Sequence, residues 1–327
     1  MRAAWYSKNG SASEVLELGE LPTPEPGPGE VRVRLHASGV NPSDVKSRRA
    51  RPLSAPRIIP HSDGAGIIDQ IGDGVSSDRI GERVWTWNGQ WGRPFGTAAE
   101  YIALPSSQAV TLPAGVDFAA GACLGIPGLT AFQAVHLLGA IDGKTVLVIG
   151  AAAAVGHYVT QIATRRAGAS VIGTIGSAEK AAHARGAGAV ATIDYKLDDV
   201  AAAVREMTGD RGVDALIDMD FSSTAKLIGE GVLAPHGTIV SYGSNTVEDI
   251  PIPYRKMLFD SLALKLFIVY ELNAEDRRRA IDGLTEMMVA GRLDHTIGAT
   301  FSLDRIAEAH EAVEGGKVLG NVVLEIG

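Results

Sequence analysis

Between residues 145 and 242 short, mainly apolar runs alternate with segments of helical spacing, and few folds accept that pattern. The runs are 145–150, 169–174, 189–193, 213–218 and 238–242; helical spacing covers 155–167 and 178–185, the latter stopped at Gly186. A strand that reads apolar throughout has no wet face. Such strands form a parallel sheet covered by helices on both sides, a doubly wound α/β fold. The first 120 residues read differently. Val31-Arg32-Val33-Arg34-Leu35-His36-Ala37 alternates with period two, so one face is buried and the other wet. Pro22, Pro24, Pro26 and Pro28 mark an extended lead-in. Further short stretches at 66–71, 83–87 and 99–104, punctuated by Gly, Asp, Asn and Pro, predict a small barrel or bent sheet. Past residue 270, Asn273 is positioned to cap a helix carrying Ile281, Leu284 and Met288 and ending at Gly291. Ser302 is positioned to cap another with Leu303, Ile306 and Val313, and 321–326 reads as a closing strand.

At 327 residues the chain exceeds what one core usually holds, so two domains are expected. A net charge of −8, from 30 basic and 38 acidic residues with no basic stripe, speaks against nucleic acid as a ligand, although Arg48, Arg49 and Arg51 form a local basic patch. The single cysteine, Cys123, excludes an intrachain disulfide and any zinc site built on several thiolates. No apolar run approaches the roughly 20 residues of a membrane span, and the N-terminus lacks the pattern of a secretory signal. A cytoplasmic chain with no membrane partner is expected.

A strand that runs through a glycine turn into a helix builds a phosphate site, because free N–H groups and the helix dipole meet there. Here the segment is Val146-Leu147-Val148-Ile149-Gly150-Ala151-Ala152-Ala153-Ala154-Val155-Gly156. Against G-x-G-x-x-G only the last glycine survives, as Gly156, with Ala151 and Ala153 in the other places. Ala152, Ala153, Ala154, Val155 and Gly156 are the candidate cofactor contacts, and the Ala153 methyl lies where the backbone must come closest to the phosphates. The same segment also reads as a Gly/Ala turn that only packs helix on strand. An NAD site needs an acid about 20 residues on, for the ribose hydroxyls. None occurs between Ala151 and Ala178; Ile175, Gly176 and Ser177 stand there, with Lys180 a turn later and Tyr195 after the third strand. Ser177, Lys180 and Tyr195 are therefore candidates for the 2′-phosphate of NADPH, which a carboxylate would repel.

Taken in order, Gly39-Val40-Asn41-Pro42-Ser43-Asp44, Ser62-Asp63-Gly64-Ala65-Gly66, Ala98-Ala99-Glu100-Tyr101, Pro127-Gly128-Leu129-Thr130-Ala131, the Gly150 to Gly156 turn and Val171-Ile172-Gly173-Thr174 resemble the zinc-free, zeta-crystallin-like quinone oxidoreductases of the medium-chain dehydrogenase/reductase superfamily. The resemblance spans essentially the whole chain. It implies a GroES-like β-barrel catalytic domain from 1–122 with 271–327, a Rossmann NADPH domain at 123–270, and an active cleft between them. It also implies a homodimer formed through the edge strand at 264–269. Position by position, the zinc ligands of the metal-dependent relatives correspond to Asn41, Ser62 and Ile126, a set that cannot hold the ion. No metal is expected, and with zinc goes classical alcohol dehydrogenation. The resemblance also places Asn41 and Thr130 beside the nicotinamide as catalytic residues. Phe267 and Val269 would meet the carboxamide through their backbones, Tyr242, Gly243 and Ser244 would line the nicotinamide side, and Asn321 would reach in from the tail.

Without a metal, the acceptor must need little polarisation, which suits quinones and similar conjugated carbonyls. The residues leave open an enone, alkenal or enoyl-thioester reductase of the same fold, and a non-catalytic NADPH-binding or RNA-binding protein. Asp44 and Asp63 are candidate acids by position, while Asp63 equally reads as a buried carboxylate ordering backbone N–H groups. Trp85, Trp87 and Trp91, with Phe95, are expected either to stack a flat acceptor or to plug the barrel. Asp218-Met219-Asp220-Phe221 departs from the family pattern and is expected to narrow or recharge the adenosine side.

Overall fold

A computed structural model describes all of residues 1–327. The chain divides into two compact units, 1–128 with 295–327, and 129–294. These limits correct the expected ones at 122 and 270. The helix Ala274–Val289 belongs with the second unit because its Gly283 has no side chain to keep the Phe132 ring away, and its Asp276 accepts a hydrogen bond from Gln133 at 3.2 Å.

The first unit is built on a seven-stranded sheet. Glu30–Val40 is its long central strand, pairing antiparallel with Asp63–Ile71, Tyr101–Pro105 and the C-terminal strand Asn321–Glu325. Its alternation buries Val31, Val33 and Leu35, and they meet Ile68, Val84, Ile102, Leu104 and Leu324 in one core. The bent-sheet expectation for this region therefore holds. Trp85 is fully buried in this unit, Trp91 lies under the Arg51 guanidinium at 5.3 Å, and Phe95 is half exposed, so the aromatic residues do not form one stacking platform.

The second unit carries six parallel strands. Their spatial order is Ala191–Asp194, Ser170–Ile175, Thr145–Val148, Val213–Asp218, Leu233–Ser241 and Ala263–Leu266. Counted along the chain this is 3-2-1-4-5-6, the dinucleotide-binding order, whose crevice opens beyond the carboxyl ends of the first and fourth strands. The last strand stands at an edge as expected, but it is shorter than 264–269. It stops at Leu266, because Val269–Glu271 turns into a short 3₁₀ segment. Asn273 caps its helix, its Oδ1 accepting from the Asp276 N–H at 2.8 Å. Ser302 makes no such side-chain cap, since a 3₁₀ turn, Leu303–Arg305, intervenes before the helix Ile306–Glu314. No helix is long and apolar enough to cross a membrane.

Candidate active site

In the second unit the first strand ends at Val148 and the helix Ala154–Gln161 begins six residues later. Gly150 makes the turn with φ +69°, a left-handed conformation that a side chain resists. The tight-turn role thus falls one residue before the position matched in the sequence. The Gly150 N–H donates to Thr174 Oγ1 at 2.9 Å and the Ala151 N–H to the Thr174 carbonyl at 3.1 Å, which ties the turn to the second strand. Ala151 fits because Gly173 opposite has no Cβ. Gly156 is required: a methyl there would collide with the Gly150 carbonyl. Ala153 stands at the helix N-cap with extended backbone and no side chain to cap the first turn, leaving those N–H groups for an anion.

At the end of the second strand, Ser177 caps the helix Ala178–Gly186, its Oγ accepting from the Lys180 N–H at 3.3 Å. Tyr195 follows the third strand and its N–H donates to the Ile175 carbonyl at 3.1 Å. Its ring and the Lys196 stem both cross Gly176, each about where a Cβ at 176 would be in tight contact at 3.0 Å. Ser177 and Tyr195 are therefore brought to one place beside Gly176, with Lys180 in the following turn. Lys196 joins them, a cation the sequence reading missed although it is the next residue after Tyr195.

Around the fourth strand the unexpected acids are structural. Asp218 is fully buried and accepts from Thr224 Oγ1 (2.7 Å), Ser241 Oγ (3.0 Å) and the Asp220 N–H (3.1 Å). Burial raises its pKa and these hydrogen bonds pull it back. Asp220 accepts from the Asn245 N–H at 2.9 Å and from its Nδ2 at 2.8 Å, which pins the loop carrying Gly243 and Ser244. Gly243 has no room for a side chain, since the Met219 carbonyl lies against it. The Met219 sulfur packs over Gly150, so this stretch narrows the turn. Tyr242 and Phe267 meet with ring centroids 6.1 Å apart. The Phe267 N–H donates to Ser241 and the Val269 carbonyl accepts from Arg277 Nη2 at 3.0 Å, so part of each backbone is already spent. Thr130 is buried in the first turn of the helix Leu129–Leu138.

In the first unit Asn41 caps the helix Pro42–Ala50. Its backbone N–H donates to Asp44 Oδ2 at 2.8 Å and its Nδ2 to Asp63 Oδ2 at 2.9 Å. Asp63 Oδ2 also accepts the Ile126 N–H at 2.9 Å. Two of the three positions that correspond to zinc ligands are thus bridged by one carboxyl. Asp63 orders a backbone N–H, as its structural reading holds. Burial lifts the Asp63 pKa well above the carboxylate range, with the Asp44 charge adding to it. Burial likewise pushes Asp44 up to about 7. Asn321 is buried and its Nδ2 donates to the Thr296 carbonyl at 3.0 Å, so that arm of its amide is engaged within its own unit.

Residues 27–114 match the alcohol dehydrogenase GroES-like domain and residues 154–286 the zinc-binding dehydrogenase domain. A 2-haloacrylate reductase from Burkholderia sp. is 32% identical, covering 99% of this chain and 98% of its own length. A quinone oxidoreductase from Pseudomonas aeruginosa is 32% identical over 95% of each chain. The chain belongs to the quinone oxidoreductase group of the medium-chain dehydrogenase/reductase superfamily. Two solved structures superpose with a TM-score of 0.88. One is an NAD-dependent alcohol dehydrogenase, 30% identical and covering 100% of both chains. The other is a mycobacterial protein complexed with NADPH, 28% identical and covering 99% and 100%. The resemblance read from the sequence, its two domain types and an oxidoreductase identity therefore stand.

Proposed function

We propose that this enzyme is a zinc-independent, NADPH-dependent reductase of quinones or similar conjugated carbonyls. The observation that carries the reading is the end of the second Rossmann strand, where Gly176 and Ser177 stand in place of an acid and the Tyr195 and Lys196 side chains cross the same spot. A 2′-phosphate would find there the Ser177 hydroxyl, the Tyr195 phenol and the Lys196 ammonium, with Lys180 in the following helical turn and no carboxylate at the end of the second strand to repel it. The Gly150 to Gly156 turn fits a pyrophosphate through N–H groups of the helix start, with the Met219 sulfur as one wall.

Bound NADPH supplies the hydride from its nicotinamide. The chain's own residues bind, orient and exclude water. Tyr242, Phe267 and the loop at 243–244 form the nicotinamide wall, and the Phe267 carbonyl with the Val269 N–H are the backbone groups to meet a carboxamide. The family resemblance assigns Thr130 of the second unit, and Asn41 and Asn321 of the first, to the ring; within its own unit Asn41 is held by Asp44 and Asp63, and Asn321 keeps an amide oxygen to offer. Zinc is absent from the scheme because Ile126 offers no side-chain ligand and the Asn41 amide is already committed to Asp63.

The edge strand Ala263–Leu266, with Leu258, Phe259, Leu266 and Ile268 exposed around it, is the proposed homodimer seam. The proposed setting is the cytoplasm. A second acceptor class, activated alkenes, is favoured by the likeness to a 2-haloacrylate reductase. Titration with NADPH and NADH, followed by nicotinamide fluorescence, tests the reading. Micromolar NADPH with NADH at least about tenfold weaker supports it. Saturation with neither overturns the NADPH reading and moves the non-catalytic, RNA-binding alternative ahead. NADPH oxidation with a panel of quinones, enones and haloacrylates then names the acceptor.

A further inference from the structure

A histidine sits where backbone geometry favours glycine. His61 has φ +75°, and it is fully buried in the first unit. Its ring explains why it is there. His61 Nδ1 lies 2.9 Å from Ser38 Oγ, Ser38 Oγ lies 2.8 Å from Thr97 Oγ1, and Thr97 Oγ1 donates to the Asp63 carbonyl at 2.6 Å. On the other side His61 Nε2 lies 2.9 Å from Nε2 of His310, and the two rings stack at 5.1 Å. Ser38, Thr97 and His310 are all buried.

Proton counting fixes the direction of every link. Thr97 Oγ1 donates its one proton to the Asp63 carbonyl, so the 2.8 Å contact with Ser38 needs the Ser38 proton. Ser38 then has none left for His61, and His61 Nδ1 must carry a proton and donate it. Burial keeps His61 neutral, with a pKa near 3, so its Nε2 is a lone pair. His310 Nε2–H must fill it. Burial, with His61 and Arg48 nearby, holds His310 neutral as well, which leaves its Nδ1 as a bare acceptor. The charged groups around this assembly are Arg48, paired with Glu314 on the helix that carries His310, and the buried Asp44 and Asp63.

We propose that His310, His61, Ser38 and Thr97 form a one-way hydrogen-bond chain of fixed tautomers, and that they are positioning residues holding Asp63, and through its carboxyl Asn41, for the reaction. The tautomer half stands on the hydrogen-bond geometry together with the burial that keeps both rings neutral; the positioning half rests on the reading of Asn41 given above.

The experiment uses the full chain with isotope-labelled histidine, read by nitrogen–proton correlation NMR from about pH 5.5 to about pH 8. The His61 and His310 signals are assigned by their loss in His61→Gly, which suits the positive φ, and His310→Gln. Expected are a proton on Nδ1 of His61, a proton on Nε2 of His310, and no titration of either. The opposite tautomer, or titration within that range, overturns the chain. Its positioning role is read kinetically. Thr97→Val should lower kcat about tenfold while KM for NADPH stays within about twofold, and Thr97→Ser should restore most of the loss. Unchanged kcat, or no recovery with Ser, overturns that role. Should Thr97→Val fail to fold, Ser38→Ala cuts the same chain with less change in volume. A wild-type protein that binds no NADPH removes the functional reading and the positioning half together, while the NMR result still decides the chain.

Discussion

The two units solve the problem of a polar centre in opposite ways. In the second unit the proposed cofactor turn is made of absences: Gly150, Gly156, Gly173 and Gly176 withhold side chains where the Met219 sulfur, the Gly150 carbonyl, the Ala151 methyl and the Tyr195 and Lys196 side chains come close. In the first unit the centre around Asn41 is made of buried side chains, with Asp44, Asp63, Ser38, Thr97, His61 and His310 satisfying one another. A region built on missing atoms fails when atoms are added. A region built on hydrogen bonds fails when a partner is lost, because the stranded group keeps its full desolvation penalty.

The largest expected effect follows from the first rule. Gly156→Ala pushes a methyl into the Gly150 carbonyl, with backbone on both sides and nothing flexible to yield. We expect NADPH binding to be lost and stability to fall by about 1–3 kcal/mol, checked by fluorescence titration and urea melts. Retention of both would mean the helix shifts freely, and the contrast between the units would weaken. Next, Asp63→Leu strands Asn41 Nδ2 and the Ile126 N–H at once. A loss of about 2–4 kcal/mol in urea melts is expected, and Asp63→Asn should lose less than half of that because an amide oxygen still accepts.

The third outcome concerns pH. Burial raises the folded pKa of Asp44 to about 7, from an unfolded value of about 4. The folded state therefore holds a proton that the unfolded chain releases. This group's contribution is fully present below about pH 4 and is lost as pH rises through about 7. Wild type should lose stability relative to Asp44→Asn across that window, whereas parallel curves would show that Asp44 is ionised in the fold. Smaller still, Lys180→Ala and Lys196→Ala should each raise KM for NADPH about three- to tenfold with KM for NADH unchanged, since exposed charge pairs contribute about 1 kcal/mol. Equal effects on both cofactors would remove that residue from the 2′-phosphate site. The smallest change is Ala153→Gly, for which NADPH binding about two- to threefold tighter is expected; no change would show that the turn already accommodates the methyl.

The same contrast explains what could be read from the sequence. The Rossmann unit was legible because its signals are local. Apolar runs such as 213–218 match a strand directly, Asn273 caps where it should, and the missing acid after Ile175 is a fact of position. Even there, Gly150 took the turn that the motif gave to Ala151, because the fingerprint counts glycines and not φ. The carboxyl bridge from Asp63 to Asn41 and Ile126 joins residues 22 and 63 positions apart, and no local period encodes it. Still less visible was the pairing of His61 with His310, 249 residues away, since His310 arrives on a C-terminal helix. The unit boundaries were misplaced for a related reason: Gly283 and Phe132 recognise each other by shape, and in the sequence each is only one residue on a helix.

The left-handed backbone at His61 shapes how this chain can diverge. Glycine is the substitution that position accepts with least strain, yet glycine strands the Nε2–H of His310 inside the core and removes the donor that Ser38 accepts from. Replacing His310 first strands His61 instead. Each single step is worse than the double one, so the two histidines should be gained and lost as a pair. Among descendants of this chain, a change at one of them forecasts a change at the other.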